Sequence, residues 1–94
     1  MMQVVWSNGF KRSFKKITKK NPQLTEAIVK ALRLLGDDPF TPSLKSHKLG
    51  GNLAGLWSCS VAYDCRIVFR FSEDEKLLEM VIFLVDIGSH DEVY

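Results

Sequence analysis

The sequence contains two histidines, His47 and His90, and histidine suits proton transfer near neutral pH because its ordinary pKa is about 6.5. His47 precedes a predicted β-hairpin and His90 follows the last predicted strand, so both lie at element ends, where functional groups are often placed. A surface or packing role is the alternative for each. No third or fourth ligand is spaced near either histidine, so the sequence predicts no metal site and no cofactor.

Two further residues have side chains suited to a nucleic acid. Arg66 begins a predicted strand, and a guanidinium binds a phosphate through two parallel hydrogen bonds. Its alternative role is an ion pair with Asp64 or Asp86. Tyr94 either faces solvent or folds back to stack on a base or donate a proton.

Together these residues have the chemistry for cutting RNA without a metal. Such a reaction needs a base for the 2′-hydroxyl, a cation for the charge on phosphorus and an acid for the leaving 5′-oxygen. A histidine supplies the base or the acid, and Arg66 and Lys48 supply cations. Asp64 and Asp86 are candidates for orienting these groups. The spacing along the sequence does not establish that the side chains converge.

The charge is divided unevenly along the chain. Residues 1–48 carry ten Lys/Arg and three Asp/Glu, a balance of +7, and residues 49–94 carry three and eight, a balance of −5. The basic half either attracts a polyanion or is a solvated surface without a partner. The residues predicted to bind RNA are Lys11, Arg12, Lys15, Lys16, Lys19, Lys20 and Lys48.

Length and composition predict one domain, residues 1–94, because 46% hydrophobic and 26% charged residues are typical of a soluble globular protein. No run approaches the roughly 20 apolar residues of a membrane span, and no signal peptide is visible. The two cysteines do not form a disulfide framework. We therefore expect a reducing cytoplasm and no membrane partner.

The hydrophobic pattern predicts the order β-α-α-β-β-β, an α+β fold with two antiparallel N-terminal helices on a small, mainly antiparallel sheet. Residues 3–6 form the first strand, 57–61 and 66–72 a hairpin with its turn at 62–65, and 77–87 a long, central, buried strand. Residues 37–46 form a loop. Residues 73–76 form a charged turn, and residues 89–94 form a short polar tail.

Local signals predict the helix ends. Ser7 or Asn8 caps the first helix, in which Phe10, Phe14 and Ile17 recur at helical spacing. Asn21 ends it and caps the second, with Pro22 at its first position. The second helix has the apolar stripe Leu24, Ile28, Ala31, Leu32 and Leu35, and Gly36 stops it.

Two segments together resemble a known family. Residues 47–69 read H-K-L-x-G-x-L-x-G-L-W-S-x-x-V-x-Y-D-x-R-I-V-F, and an apolar strand then leads to I-G-S-H-D-E-V-Y. The pattern resembles the RelE/ParE toxin superfamily, and is most similar to the YafQ-type and RelE/StbE-type mRNA interferases of toxin–antitoxin pairs. The resemblance covers essentially the whole chain.

This resemblance implies a toxin that enters the ribosomal A site, cuts mRNA there and is neutralised by a cognate antitoxin. It implies catalytic roles for five residues and leaves the division of base and acid among His47, Asp64 and His90 open. Lys48 lies where family members vary. The five residues are His47, Asp64, Arg66, His90 and Tyr94.

Two positions depart from the YafQ-type pattern. Ser60 stands where these proteins have a second histidine, and Asp86 stands where they have an arginine, so Arg66 is expected to take over that arginine's part. Two other functions remain open. One is a ParE-like inhibitor that binds DNA gyrase, and the other is a non-catalytic RNA-binding relative that depends on the basic helix.

Overall fold

Two long helices and a five-stranded sheet give the α+β architecture that the sequence predicts. A computed structural model describes residues 1–94. The strand order is β1-β5-β4-β3-β2, and all neighbours are antiparallel except β1 and β5. The elements are β1 (Val4–Trp6), α1 (Asn8–Lys20), α2 (Leu24–Asp37), β2 (His47–Lys48), β3 (Trp57–Ala62), β4 (Cys65–Asp74), β5 (Glu79–Gly88) and α3 (His90–Val93), with short 3-10 turns at Pro42–Leu44 and Gly51–Leu53.

Helix α1 begins as predicted, and Ser7 is its cap. The Ser7 Oγ accepts a hydrogen bond from the Phe10 backbone N–H at 3.0 Å and donates to the Val85 carbonyl at 3.2 Å. A serine cap of this kind stabilises a helix by about 1 kcal/mol. The same hydroxyl ties the start of α1 to the sheet. Phe10 is fully buried and its ring meets the edge of Trp6 at 4.8 Å.

The predicted start of α2 is wrong. The helix begins at Leu24 rather than after Asn21, and the cap residue Gln23 makes no side-chain cap bond. The carbonyls of Asn21 and Pro22 accept from the backbone N–H groups of Leu24 and Thr25, at 3.0 and 3.1 Å. These two bonds form a tight turn, so the Asn-Pro pair connects the helices instead of starting the second.

Gly36 does not stop α2 as predicted. The helix continues to Asp37, and Gly36 is buried within it. Its carbonyl accepts a hydrogen bond from the Met2 backbone N–H at 2.7 Å. A Cβ at position 36 would lie 3.3 Å from the Met2 carbonyl oxygen, so the missing side chain lets the N-terminal segment approach.

The long apolar strand is central, as predicted, because β5 lies between β1 and β4. Ile82 and Leu84 are fully buried in the core that α1 and α2 cover. The strand is shifted from its predicted bounds, since β4 extends through Asp74 and the turn to β5 comprises residues 75–78 rather than 73–76. The Asp74 carboxylate accepts the backbone N–H groups of Lys76 and Leu77, which holds that turn.

The loop predicted over residues 37–46 contains a 3-10 turn, and a short strand not predicted from the sequence follows it. Strand β2 has only two residues, His47 and Lys48, which pair with Ser58 and Trp57. Two residues are too few to show strand periodicity, so the pattern gave no signal. His47 lies before the hairpin, as expected, and it lies on the edge strand of the sheet.

The sheet has two different faces. Cys59, Ile67 and Phe69 point into the core beneath the two long helices. Ser58, Ser60 and Arg66 alternate with them and therefore point to the opposite face. Only the short helix α3 crosses this second face, which we call the open face. None of the helices is long and apolar enough to cross a membrane.

Both cysteines are free and buried. Burial raises the pKa of the Cys59 thiol to about 12. The pKa of Cys65 is also raised, first by burial and then by the negative charges of Asp64 and Glu92. The two thiols therefore stay protonated at neutral pH and supply no nucleophile.

Candidate active site

The C-terminal residues predicted as a polar tail form the helix α3. The Ser89 Oγ accepts a hydrogen bond from the Glu92 backbone N–H at 3.3 Å, and the Glu92 carboxylate accepts from the Ser89 backbone N–H at 2.9 Å. This reciprocal pair is a capping box. The S-x-x-E spacing at residues 89–92 is its sequence signal, so the helix could have been predicted.

Asp64 anchors this helix to the hairpin. Its carboxylate accepts a hydrogen bond from the His90 backbone N–H at 3.2 Å. Asp64 lies in the two-residue turn between β3 and β4, with a left-handed φ of 53°, a conformation that aspartate tolerates better than most residues. The predicted turn is therefore confirmed, and it joins two residues that are 26 positions apart.

Tyr94 folds back over the open face, which resolves the two alternatives for this side chain. Its hydroxyl donates a hydrogen bond to the Ser58 Oγ, and Ser58 is fully buried. The Tyr94 ring meets the His90 imidazole edge-on, with 4.5 Å between ring centroids. The tyrosine thus supports His90 on one side, while Asp64 fixes the backbone of the same residue.

Arg66 lies on the open face between Ser60 of β3 and Gly88 of β5. It forms no ion pair with Asp64 or Asp86, so neither proposed ion pair is present. Its Nε–H is buried and has no hydrogen-bond partner. Leaving a buried donor unpaired costs about 1–3 kcal/mol. The Arg66 guanidinium therefore lies at the groove without an ionic partner from the chain.

Three of the five predicted catalytic residues line one groove on the open face. The groove has a volume of about 510 Å³ and contains Asp64, Arg66 and His90. His47 and Tyr94 do not line it. The remaining lining residues are Lys45, Ser60, Ala62 and Tyr63.

His47 lies on the same face, one row of residues away from the groove. It pairs with Ser58, the residue that accepts from Tyr94, whereas the groove begins at Ser60. The His47 Nδ1 lies 3.1 Å from the Lys45 carbonyl oxygen. A carbonyl only accepts, so Nδ1 carries a proton, and in the neutral imidazole the lone pair is on Nε2.

The predicted RNA-binding lysines are not in the groove. Helix α1 covers the other face of the sheet, with Lys11, Lys15 and Lys19 exposed on its outer side. Lys48 is also elsewhere, because its Nζ lies 5.7 Å from the centre of the Trp57 ring. The lysines of α1 therefore do not line the groove, although Lys16 and Lys20 lie close enough to Glu92 of α3 to lower its pKa.

Lys45 and Tyr63 are groove residues that the sequence did not suggest. Lys45 lies in the aperiodic segment before β2, and its φ of 51° is not visible in the sequence. Tyr63 lies at the tip of the β3–β4 turn and is fully exposed. No three His, Cys, Asp or Glu side chains lie close enough together to hold a metal ion.

The family model for the YafQ toxin, described as a bacterial toxin of type II toxin–antitoxin systems, matches residues 2–94. The chain belongs to this YafQ family. The match agrees with the predicted resemblance and places the fold in the RelE-like superfamily. No protein with a curated description has a matching sequence.

Solved structures of related toxins have the same fold. A metal-bound toxin from Helicobacter pylori is 27% identical, with a TM-score of 0.71 and complete coverage of both chains. A YoeB/ParE toxin from Agrobacterium tumefaciens is 24% identical, with a TM-score of 0.76 over 95% of this chain and 99% of its own. YafQ in the DinJ–YafQ complex of E. coli is 14% identical, with a TM-score of 0.77 over 100% of this chain and 99% of its own.

The two departures from the YafQ pattern have different positions in the structure. Ser60 lines the groove, where a hydroxyl replaces the imidazole that the resemblance places there. Asp86 does not line the groove. Its carboxylate accepts a hydrogen bond from the Ser13 hydroxyl at 2.6 Å and from the Ile87 backbone N–H at 2.9 Å. Asp86 therefore ties α1 to β5.

Acid should release α3 from the sheet. The hydrogen bonds from Ser89 lower the pKa of Glu92 below its ordinary value of 4.5, with a smaller contribution from Lys16 and Lys20. A lowered pKa stabilises the helix above pH 4.5, and that stabilisation is lost as the pH falls through the folded-state value. The protection factors of the residue 92–94 amides in hydrogen exchange, which correct for the intrinsic dependence on pH, should fall as the pH drops below about 4.5.

Glu92→Gln is the matched control, because glutamine also serves in a capping box but does not titrate in this range. The protection factors of the same amides should depend less on acid in Glu92→Gln than in the wild type. An identical acid transition in the two proteins would show that Glu92 is not the group responsible.

Proposed function

We propose that this toxin is a ribosome-dependent endoribonuclease that cuts mRNA without a metal. The observation that carries the proposal is the groove, which Arg66, without an ionic partner in the chain, lines together with His90 and Asp64. A phosphodiester supplies an anion for the guanidinium, and the imidazole supplies proton transfer. Family membership supports the same conclusion.

The proposed reaction is an attack of the RNA 2′-oxygen on the adjacent phosphorus. A base takes the proton of the 2′-hydroxyl, the 2′-oxygen bonds to phosphorus, and the bond from phosphorus to the 5′-oxygen breaks. An acid then protonates the departing 5′-oxygen. The products are a 2′,3′-cyclic phosphate and a free 5′-hydroxyl, and Arg66 stabilises the charge that grows on the phosphoryl oxygens.

We assign the acid to His90, because it is the only imidazole that lines the groove with Arg66. We assign the base to His47, because Nε2 of its neutral imidazole can accept a proton and the residue lies on the same face of the sheet. The attacking 2′-oxygen and the leaving 5′-oxygen belong to the same phosphate, so we place the scissile phosphate between the groove and β2, within reach of both histidines. Tyr94 and Asp64 then act by positioning His90 rather than by transferring protons themselves.

We propose that a cognate antitoxin neutralises the protein by covering the basic face of α1. The DinJ–YafQ complexes show a toxin of this fold with its antitoxin. An acidic antitoxin on α1 and ribosomal RNA in the A site would compete for the same exposed lysines. The antitoxin would then exclude the toxin from the ribosome, in the cytoplasm, without entering the groove.

Removing the His90 side chain should abolish cleavage. Loss of a general acid typically costs about 10²–10⁴-fold in rate. Induction of wild-type protein should arrest growth with mRNA cut inside translated frames, and His90→Ala should relieve the arrest while folding normally by circular dichroism. A 5′-bridging phosphorothiolate substrate should restore cleavage by His90→Ala, since a thiolate leaves without protonation.

The same substrate discriminates between the two histidines. His47→Ala should remain slow on the phosphorothiolate, because its predicted defect lies in activating the 2′-hydroxyl. Rescue of His47→Ala instead of His90→Ala would reverse the two assignments. Growth arrest with intact mRNA and DNA-damage signalling would replace the nuclease with a gyrase inhibitor.

Asp64→Asn should retain most of the activity. Asparagine keeps an oxygen acceptor for the His90 N–H and tolerates the left-handed backbone at this position. Asp64→Ala loses both and should reduce kcat by about tenfold or more, because His90 is no longer held in place. If Asp64→Asn is as inactive as Asp64→Ala, the carboxylate itself takes part in the chemistry.

Charge reversal on α1 should separate binding from chemistry. Lys15→Glu with Lys16→Glu should weaken binding to both ribosomes and antitoxin by about tenfold or more, increasingly at low salt. Lys76→Glu, on the distant turn between β4 and β5, is the control for a charge reversal that lies away from α1. An antitoxin footprint confined to residues 49–94 would refute the proposed interface.

A further inference from the structure

Lys45 has an unusual backbone conformation at the edge of the groove. Its φ is 51°, and only three residues other than glycine have a positive φ: Lys45, Asp64 and Leu78. Lysine is not among the residues enriched in this region. Two of the three, Lys45 and Asp64, line the groove. Backbone strain of this kind is often concentrated at functional sites.

The two parts of Lys45 contact different components of the site. Its carbonyl accepts the hydrogen bond from His47 Nδ1, while its side chain lines the groove with Arg66. It follows the 3-10 turn Pro42–Leu44, in which Leu44 is buried in the core. Lys45 is thus held between a fixed turn and the edge strand β2, although its own side chain is exposed.

No carboxylate forms an ion pair with the cations of the groove. The one contact of this kind in the chain joins His90 Nδ1 to the Asp91 carboxylate at 3.7 Å, and it is an ion pair only when the imidazole is protonated. Lys45 and Arg66 therefore have no ionic partner. Asp64 is the one carboxylate lining the groove, and it accepts from the His90 backbone. Two unpaired cations beside one carboxylate leave the groove with an excess of positive charge, which favours an anion.

We propose that Lys45 is a substrate-binding residue that contacts an RNA phosphate next to the one bound by Arg66. The inference deepens the proposed function, on which it rests for the identity of the anion. Lys45 supplies a second cation beside Arg66, whereas position 86, an arginine in the YafQ pattern, is here an aspartate that is bonded to Ser13 outside the groove. An ammonium acts as a point charge, so it holds a phosphate without a fixed geometry.

Lys45→Asn is a sharp test, because asparagine adopts a left-handed φ readily and keeps the carbonyl that holds His47. The probe is a single-stranded RNA oligonucleotide with 2′-O-methyl groups throughout, which cannot be cut by 2′-hydroxyl attack. Fluorescence anisotropy at several KCl concentrations gives the affinity and its salt dependence. Each phosphate contact to a single strand contributes about 0.7 to the slope of log K against log salt.

Lys45→Asn should bind about fivefold more weakly at 100 mM KCl, and its slope should be smaller by about 0.7. Lys45→Arg should stay near the wild type. Lys76→Gln also removes one charge, at a position roughly 25 Å from Arg66 along the sheet, at about 3.3 Å per residue. It should change RNA binding only through the lower net charge of the protein. If Lys45→Asn matches Lys76→Gln, or if the wild type does not bind the oligonucleotide, the inference is wrong.

A cleavage assay on ribosomes translating a defined mRNA separates this inference from the proposed function. If the wild type leaves the mRNA intact but Lys45→Asn still weakens oligonucleotide binding, the nuclease proposal fails and the RNA-binding role of Lys45 stands. If the wild type cuts and Lys45→Asn binds and cuts like Lys76→Gln, the nuclease stands and the role of Lys45 is refuted.

Discussion

The hydrogen bond from the His90 backbone to the Asp64 carboxylate joins the two halves of the candidate site. One half is the β3–β4 hairpin with Arg66, and the other is helix α3 with His90 and Tyr94. A helix of four residues is unstable alone, since nucleation costs more than one turn returns. It persists here because its capping box and the bonds from Asp64 and Tyr94 hold it on the sheet.

Local signals in the sequence predicted much of the fold but not the edges of the site. Ser7 as a helix cap, the turn at Asp64 and the central apolar strand are properties of short segments, and each was predicted. The start of α2 was missed because Asn21 and Pro22 form a tight turn through two local hydrogen bonds, and the role of Gly36 was missed because a tertiary contact decides it. Gly36 reads as a helix stop, yet it is buried beneath Met2, a partner that no local pattern reveals.

The candidate site was predicted by residue type, and its geometry was not. His90, Arg66 and Asp64 lie together because β4 and β5 are antiparallel neighbours, which brings Gly88 opposite Arg66. His47 lies one row away because the two-residue strand β2 pairs beyond the groove, and such a strand has no period to detect. The position of Lys45 at the groove depends on its left-handed φ, which the sequence does not reveal. The S-x-x-E spacing at residues 89–92, in contrast, is a local signal that predicts α3.

The charge pattern predicted one polyanion-binding surface, but the basic helix and the groove lie on different faces of the sheet. The basic residues of α1 lie over the core side, whereas the groove lies on the open face. In the proposed complex, ribosomal RNA around the toxin would reach both faces at once, whereas a short RNA confined to the groove would not contact the outer lysines of α1. The proposed dependence on the ribosome then has a physical reason, because those lysines add affinity only when the substrate is presented within a larger polyanion.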